Sequence, residues 1–123
     1  MRDEFVRLDP AARDRIRELQ IPGEADLYLK LTELFIDESE RLMSQLRENL
    51  GSARAGALRD LAHKWKNNAL AIGALRLGKL CQDLEAAALA TSSGPSAPDI
   101  ISAIGSEFRA VATLLKPGAK PNL

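Results

Sequence analysis

The sequence predicts an all-α fold, an antiparallel four-helix bundle with a short additional N-terminal helix. Apolar residues recur at helical spacing along almost the whole chain, and no segment shows the strict alternation of a β-strand. The connections after residue 50 and around residue 73 are too short for crossovers, which favours antiparallel neighbours. With 123 residues, 46% of them hydrophobic, the chain can bury one modest core. We assign residues 1–116 to a single bundle domain and residues 117–123 to a flexible C-terminal tail.

Capping residues and chain breakers predict the ends of the first two helices. The first spans about residues 10–20, with Asp9 as its N-cap and a proline at its first position, and the Ile-Pro-Gly of residues 21–23 ends it. This short helix should lie across one end of the bundle as a lid. The second helix spans about residues 24–50, with Gly51 as its stop.

Three more helices follow in the second half of the chain. The third begins at Ser52 or its neighbour and ends near residues 72–73. The fourth covers about residues 75–90, and the Thr-Ser-Ser-Gly-Pro of residues 91–95 forms a loop. Ser96 and Asp99 have the spacing of a capping box, so they predict the start of a last helix that continues to Leu115.

The second helix carries two apolar lines. The line with regular helical spacing predicts its core-facing stripe, namely Leu27, Leu31, Leu34, Phe35, Leu42 and Leu46. A second line, displaced by more than about 90°, recurs every seven residues and comprises Leu29, Ile36, Met43 and Leu50. This second line either packs beneath the first helix or forms a partly exposed surface on which a partner docks.

The third helix separates an apolar stripe from a polar face. At about 100° per residue, the stripe that must face the core comprises Leu58, Leu61, Ala62, Trp65, Ala69 and Ile72. His63, the only histidine of the chain, falls on the solvent side. Its surface neighbours at three and four residues are Arg59, Asp60, Lys66 and Asn67. The aliphatic Leu70 follows two turns along, also outside the stripe.

The segment from residue 62 to residue 85 resembles the signature of histidine-containing phosphotransfer (HPt) domains. The residues at the family spacing are His63, Lys66, Gly73-Ala74, Leu77, Cys81 and Leu84-Glu85. The resemblance implies a helical bundle that carries a phosphoryl group in a two-component phosphorelay. In such a relay His63 would accept the phosphoryl group from, and donate it to, receiver-domain aspartates. It implies no cofactor in this chain, because the partner receiver supplies magnesium.

The residues around His63 then acquire expected roles. An imidazole must be neutral to attack phosphorus, and the cations Arg59 and Lys66 disfavour its protonated form, whereas Asp60 opposes them. Once the ring carries a dianionic phosphoryl group, Lys66 can pair with that group. Leu70 offers a docking receiver an apolar contact beside the reacting atom. The further residues expected to bind this partner are Arg59, Leu29, Ile36 and Met43.

Three residues depart from the family pattern. Trp65 stands where the family usually has leucine, and Asn67-Asn68 stand where it has glycine and serine. Trp65 lies on the core stripe, so we expect it to change packing, with its indole N–H requiring a partner. Asn67 lies one turn beyond His63, where its amide either contacts the phosphoryl group or acts as a steric gate. Asn68 is turned away from His63 and is expected to be structural.

The composition of the chain bears on its partners and on its location in the cell. Seventeen basic and seventeen acidic residues give a net charge of zero, which argues against nucleic acid and anionic membranes as partners. The single cysteine, Cys81, cannot form an internal disulfide and falls at core spacing. Together with the lack of an apolar signal segment, this favours a cytoplasmic location, and we expect a monomer.

Two classes of enzyme are disfavoured, and one non-enzymatic alternative stays open. A di-metal bundle needs more than one histidine and a Glu-x-x-His motif, and a self-sufficient kinase needs a nucleotide-binding motif, all of which this sequence lacks. The alternative is a bundle that binds a receiver or another enzyme without carrying phosphate, and Asn67 keeps it open. The sequence leaves undecided whether the chain stands alone or is a domain of a hybrid sensor kinase.

Overall fold

Five helices make up most of the part of the chain that the structure describes, as the periodicity predicts. The computed structural model describes residues 6–51, 55–89 and 96–116, and in these residues it contains no strand. The helices are α1 (Pro10–Glu18), α2 (Leu27–Gly51), α3 (Ala55–Ile72), α4 (Leu75–Leu89) and α5 (Ala97–Leu115). The prediction of an all-helical bundle with a short N-terminal helix is confirmed. The predicted loop at residues 91–95 and the tail at residues 117–123 lie outside the described residues.

Side-chain caps fix the helix starts. The Asp9 carboxylate accepts a hydrogen bond from the amide of Ala11 at 3.0 Å, and the Ser96 hydroxyl accepts one from the amide of Asp99 at 3.3 Å. Both predicted caps are confirmed. The predicted start of α2 near residue 24 is wrong, because Asp26 accepts a hydrogen bond from the amide of Leu29 at 3.1 Å and the helix begins at Leu27.

One predicted helix end also differs from the structure. The first helix ends at Glu18, two residues before the predicted end. Gly51 is the last described residue of α2, so its role as the stop of this helix stays a prediction. The predicted start of α3 at Ser52 lies outside the described residues.

The core contains the predicted stripe of α3. Its five buried residues are Leu58, Ala62, Trp65, Ala69 and Ile72, and Leu61 packs half-buried against them. The Trp65 ring meets Phe108 of α5 edge-on at 5.8 Å, and Phe108 meets Phe35 of α2 at 6.3 Å. The indole N–H of Trp65 donates to the Ser39 hydroxyl at 2.8 Å, and both residues are fully buried. The predicted need of this indole for a partner is therefore met from α2.

The buried face of α2 is rotated from the predicted one. Phe35, Leu42 and Leu46 are buried as expected, but Leu31 and Leu34 are 36% and 56% exposed. Thr32 and Ser39, which an apolar count leaves out, are buried instead. They are tolerated there because the Thr32 hydroxyl donates to the carbonyl of Leu29 at 2.8 Å and the Ser39 hydroxyl accepts from Trp65. The buried face thus includes polar residues and leaves two leucines outside.

Because the buried face of α2 differs from the predicted one, the residues of its second apolar line also differ in burial. Met43 is only 7% exposed, and its terminal methyl lies 3.2 Å from where a Cβ of Gly105 in α5 would stand. Met43 is therefore a core residue packed against α5, so its predicted role in docking a partner is wrong. Leu29 and Ile36 are half-buried, and Leu50 packs against the edge of the core.

The N-terminal segment closes the end of the bundle where α3 turns into α4. The amide of Asp9 donates to the Gly73 carbonyl at 2.8 Å, and the amide of Arg76 donates to the Val6 carbonyl at 2.9 Å. Gly73 has φ +88°, and a Cβ there would lie 2.8 Å from the Cβ of Ala12. Only glycine fits this turn, because the backbone is left-handed and α1 leaves no room. The expected lid is thus held directly on the α3–α4 turn.

Candidate functional site

His63 projects from the polar face of α3 into solvent. Its side chain is 56% exposed, whereas Ala62 and Trp65 beside it are fully buried. The apolar stripe fixes this orientation, because turning His63 inward would expose the indole of Trp65. The predicted exposure of the imidazole on a rigid helix is confirmed.

A carboxylate from the neighbouring helix holds the imidazole. Glu85 of α4 places Oε2 3.0 Å from Nδ1 of His63 and Oε1 3.0 Å from Nζ of Lys66. The antiparallel packing of α3 against α4 brings these residues together although they are 22 positions apart. One partly buried carboxylate therefore bridges the histidine and the lysine.

The bridge determines which nitrogen of His63 is free. Burial of the Glu85 carboxyl raises its pKa, but the contacts with Lys66 and His63 outweigh this effect, and the net pKa is below the ordinary value. Glu85 is therefore ionised at neutral pH and can only accept hydrogen bonds. In the neutral ring, Nδ1 must then carry the proton and donate to Glu85, which leaves the lone pair on Nε2. Of the two ring nitrogens, Nε2 is therefore the one with a lone pair available to an approaching group.

The cations beside His63 are paired with carboxylates. Arg59 contacts Asp60 at 3.3 Å, Lys64 contacts Glu38 of α2 at 2.9 Å, and Lys66 contacts Glu85. The sequence named Asp60 as the charge that opposes Arg59 and Lys66, and the structure adds Glu85 and Glu38 as further carboxylates on this face. Each positive charge has a carboxylate within ion-pair distance, so the face around His63 has little net charge.

Lys64 and Glu38 form the second inter-helix ion pair beside His63. The hydrogen bond and the charge of Lys64 hold the pKa of Glu38 below its ordinary value, although burial opposes them. This pair connects α3 to α2, whereas Lys66 and Glu85 connect α3 to α4. His63 therefore stands between two contacts that fix its helix to both neighbours.

Apolar surface lies on both sides of His63. On the α4 side Leu70 is 43% exposed, as predicted. On the α2 side a groove of about 450 Å³ is lined by Leu31, Leu34, Asn68 and Ala71, with the Lys64–Glu38 pair at its edge. Asn68 faces this groove, and Asn67 is exposed on the His63 face, where its side-chain amide makes no hydrogen bond to the described part of the chain.

The sequence did not predict the positions or contacts of several residues around His63. Glu85 belongs to the family motif, but its contact with His63 depends on the register of two helices, which the sequence does not give. Leu31 and Leu34 were assigned to the core, and the signal that could have corrected this is the alternative stripe through Thr32 and Ser39. Glu38 shows no signal in the sequence, since charged residues are frequent on helix surfaces.

The described residues give no indication of a metal site or a membrane span. Nowhere in residues 6–51, 55–89 and 96–116 do three His, Cys, Asp or Glu side chains gather so that they could hold a metal ion. In the same residues, none of the helices combines the length and the apolarity needed to cross a bilayer. Cys81 is buried in the core, where burial raises the pKa of its thiol and keeps it protonated.

Comparison with known proteins places this geometry among related domains. The model of the Hpt domain family matches residues 30–114. The chain is also similar to the crystal structure of histidine-containing phosphotransfer protein B (HptB) from Pseudomonas aeruginosa PAO1. The TM-score is 0.78 at 29% sequence identity, with 90% of this chain and 92% of that chain covered. No curated protein sequence gives a significant match. The matched residues 30–114 include all of α3 and α4, and with them His63, Lys66 and Glu85.

Proposed function

The chain belongs to the Hpt domain family, and from this premise we propose that it is a phosphoryl carrier with His63 as its acceptor. In this proposal His63 takes a phosphoryl group from the aspartyl phosphate of one receiver domain and donates it to the aspartate of another. The observation that supports it best is the exposed imidazole whose Nδ1 is held by Glu85 at 3.0 Å, which leaves Nε2 free for attack.

The chemistry requires little of this chain. Nε2 forms a bond to phosphorus while the bond from phosphorus to the aspartate oxygen breaks, and the carboxylate leaves. The imidazole becomes cationic as the N–P bond forms, and the Glu85 carboxylate beside Nδ1 stabilises that charge. The receiver contributes magnesium and the groups that hold the transferring phosphoryl group. The reverse transfer uses the same contacts.

Lys66 and Asn67 have separate proposed roles. Lys66 remains close to the ring because Glu85 holds it, and its ammonium can pair with the phosphoryl oxygens. Asn67 has a free amide one turn from His63 and can either donate to the phosphoryl group or limit which receivers approach. Replacing Asn67 by glycine separates these roles, since a phosphate contact would be lost with slower transfer, whereas removal of a gate would speed transfer.

Receiver docking is proposed on the α4 side of His63, with Leu70 as its apolar anchor and Arg59 at its edge. Interfaces usually concentrate their energy in a few apolar anchors near the centre. The α2 side, with Leu34, provides a matched comparison, since Leu34 is also exposed and apolar. Leu70→Asp should weaken receiver affinity at least tenfold, and Leu34→Asp should weaken it less. The opposite order would place docking on the α2 groove.

The deciding experiment is transfer of labelled phosphate from a phosphorylated receiver domain. The wild-type chain should acquire acid-labile, alkali-stable label, and His63→Gln should acquire none while its melting temperature stays unchanged. Label on His63→Gln would refute the acceptor assignment. A wild-type chain that binds the receiver but takes up no label would instead favour the alternative function, a regulatory bundle that does not carry phosphate.

The proposal extends to cellular context. We propose that the chain acts as a monomer in the cytoplasm, either by itself or as a domain of a hybrid sensor kinase, without autonomous kinase activity. The equal numbers of basic and acidic residues support a protein partner rather than nucleic acid or a membrane surface. Sedimentation of the isolated chain and of its complex with a receiver measures the oligomeric state.

A further inference from the structure

Gly78 occupies a helical position at which a larger residue would be expected. It lies within α4, and its amide donates to the carbonyl of Ala74 at 2.9 Å. Glycine is less favourable than alanine inside a helix because it loses more backbone freedom on folding. Its φ is not in the left-handed region, unlike that of Gly73. The backbone conformation therefore gives no reason for a glycine at this position.

The missing side chain makes room for Leu70. A Cβ at position 78 would lie 2.7 Å from Cδ2 and 3.2 Å from Cγ of Leu70. The nearest backbone atom of α3, the carbonyl oxygen of Lys66, would be 3.9 Å away, which is an ordinary contact. Alanine would thus fit between the two helices, and only the Leu70 side chain would have to move. The glycine serves the position of that side chain rather than the spacing of the helices.

The space that Gly78 leaves lies in the contact between α3 and α4, to which His63 also belongs. Leu70 lies two turns beyond His63 on α3, and Gly78 lies two turns before Glu85 on α4. Leu70 therefore lies across α4, in line with the Lys66–Glu85 bridge, and is still 43% exposed. Its exposed part faces the solvent on the side from which a receiver would reach His63.

We propose that Gly78 is a positioning residue, because its missing side chain lets Leu70 lie flat against α4. A docking receiver then meets an apolar anchor that is already ordered. This inference rests on the proposed function. With a Cβ at position 78, Leu70 has to rotate away from α4 and project into solvent. Docking must then order a mobile side chain, or the protruding side chain keeps the receiver away from His63, and both effects weaken binding.

The experiment compares Gly78→Ala, Leu70→Ala and the double variant by phosphoryl transfer from one receiver. Gly78→Ala should raise the KM about two- to tenfold, the range expected for ordering one side chain. Its melting temperature should stay the same or rise, because alanine favours the helix. The lifetime of the phosphohistidine should not change, since Nε2, Lys66 and Glu85 are untouched.

A matched control is available in α5. Gly105→Ala makes the same substitution against the flexible end of Met43 at 3.2 Å, and it should leave the KM unchanged. In the Leu70→Ala background Gly78→Ala should have no further effect, because its target is gone. An equal effect in both backgrounds, or an unchanged KM in Gly78→Ala, would overturn the role of Gly78. Absence of label on His63 in the wild type would refute the proposed function itself.

Discussion

Replacing Glu85 by glutamine should slow phosphoryl transfer while preserving the shape of the site. Glutamine keeps the length of the side chain but removes the charge that faces Nδ1 of His63 at 3.0 Å. A charge-assisted hydrogen bond is about twice as strong as a neutral one, whose net value is about 1 kcal/mol. Losing about 1 kcal/mol of stabilisation of the cationic ring corresponds to transfer about five- to tenfold slower.

The amide group introduces a second effect in the same direction. A glutamine can turn its NH₂ group toward Nδ1, which would then accept a hydrogen bond and leave the proton on Nε2. That tautomer has no lone pair on the proposed nucleophile. We therefore expect ¹⁵N NMR of the neutral ring to show the Nδ1–H tautomer in the wild type and a mixture of tautomers in Glu85→Gln.

The assay for Glu85→Gln is a single-turnover measurement of label transfer from a phosphorylated receiver. Asp83→Asn is the matched control, because Asp83 is also an ion-paired carboxylate of α4, bonded to Lys79 at 2.8 Å. The control should transfer at the wild-type rate. If Glu85→Gln keeps both the wild-type rate and the wild-type tautomer, the reasoning about the bridge is wrong.

Three further predictions concern the same helices. Lys66→Ala should slow phosphorylation or shorten the phosphohistidine lifetime, with stability changed by no more than about 1 kcal/mol; easy unfolding with normal transfer would contradict this. Ser39→Ala should lower the free energy of unfolding by about 1–3 kcal/mol, measured by denaturant titration, because the buried indole N–H of Trp65 loses its acceptor; unchanged stability would contradict it. Lys64 lowers the pKa of Glu38, so their pair stabilises the fold above the ordinary glutamate pKa and ceases to as pH falls through the lowered one. Thermal melts from about pH 6 to 3 should therefore decline less steeply in Glu38→Gln than in the wild type, and equal slopes would count against the pair.

The apolar pattern within a single helix predicts the buried face of α3 but not that of α2. The stripe of α3 was correct because its buried residues are all apolar, so the periodicity and the burial coincide. The stripe of α2 was wrong because burial there includes Thr32 and Ser39, whose hydroxyls are satisfied inside the bundle. The spacing of apolar residues does not reveal which polar side chains will be hydrogen-bonded in the core. It therefore assigned Leu31 and Leu34 to the core and left Met43 outside.

The same limit applies to the site. His63 could be identified from its own helix, since its exposure follows from the stripe that it lies opposite. Its contact with Glu85 could not, because it depends on how α3 and α4 align across a turn. The sequence identified the charges of Arg59 and Lys66 and the opposing Asp60, but not Glu85 as the partner of Lys66. Local pattern thus predicted the exposed histidine, and the contacts between helices determine the groups that surround it.

Two neighbouring contacts explain how the unusual Trp65 fits without disturbing the site. Inside the bundle its indole N–H bonds to Ser39, and at the surface Lys64 pairs with Glu38. The residues of the two contacts are consecutive on both helices, so one orientation of α2 about its axis allows both contacts. Trp65 is therefore accommodated through contacts with α2, and neither His63 nor Glu85 takes part in them.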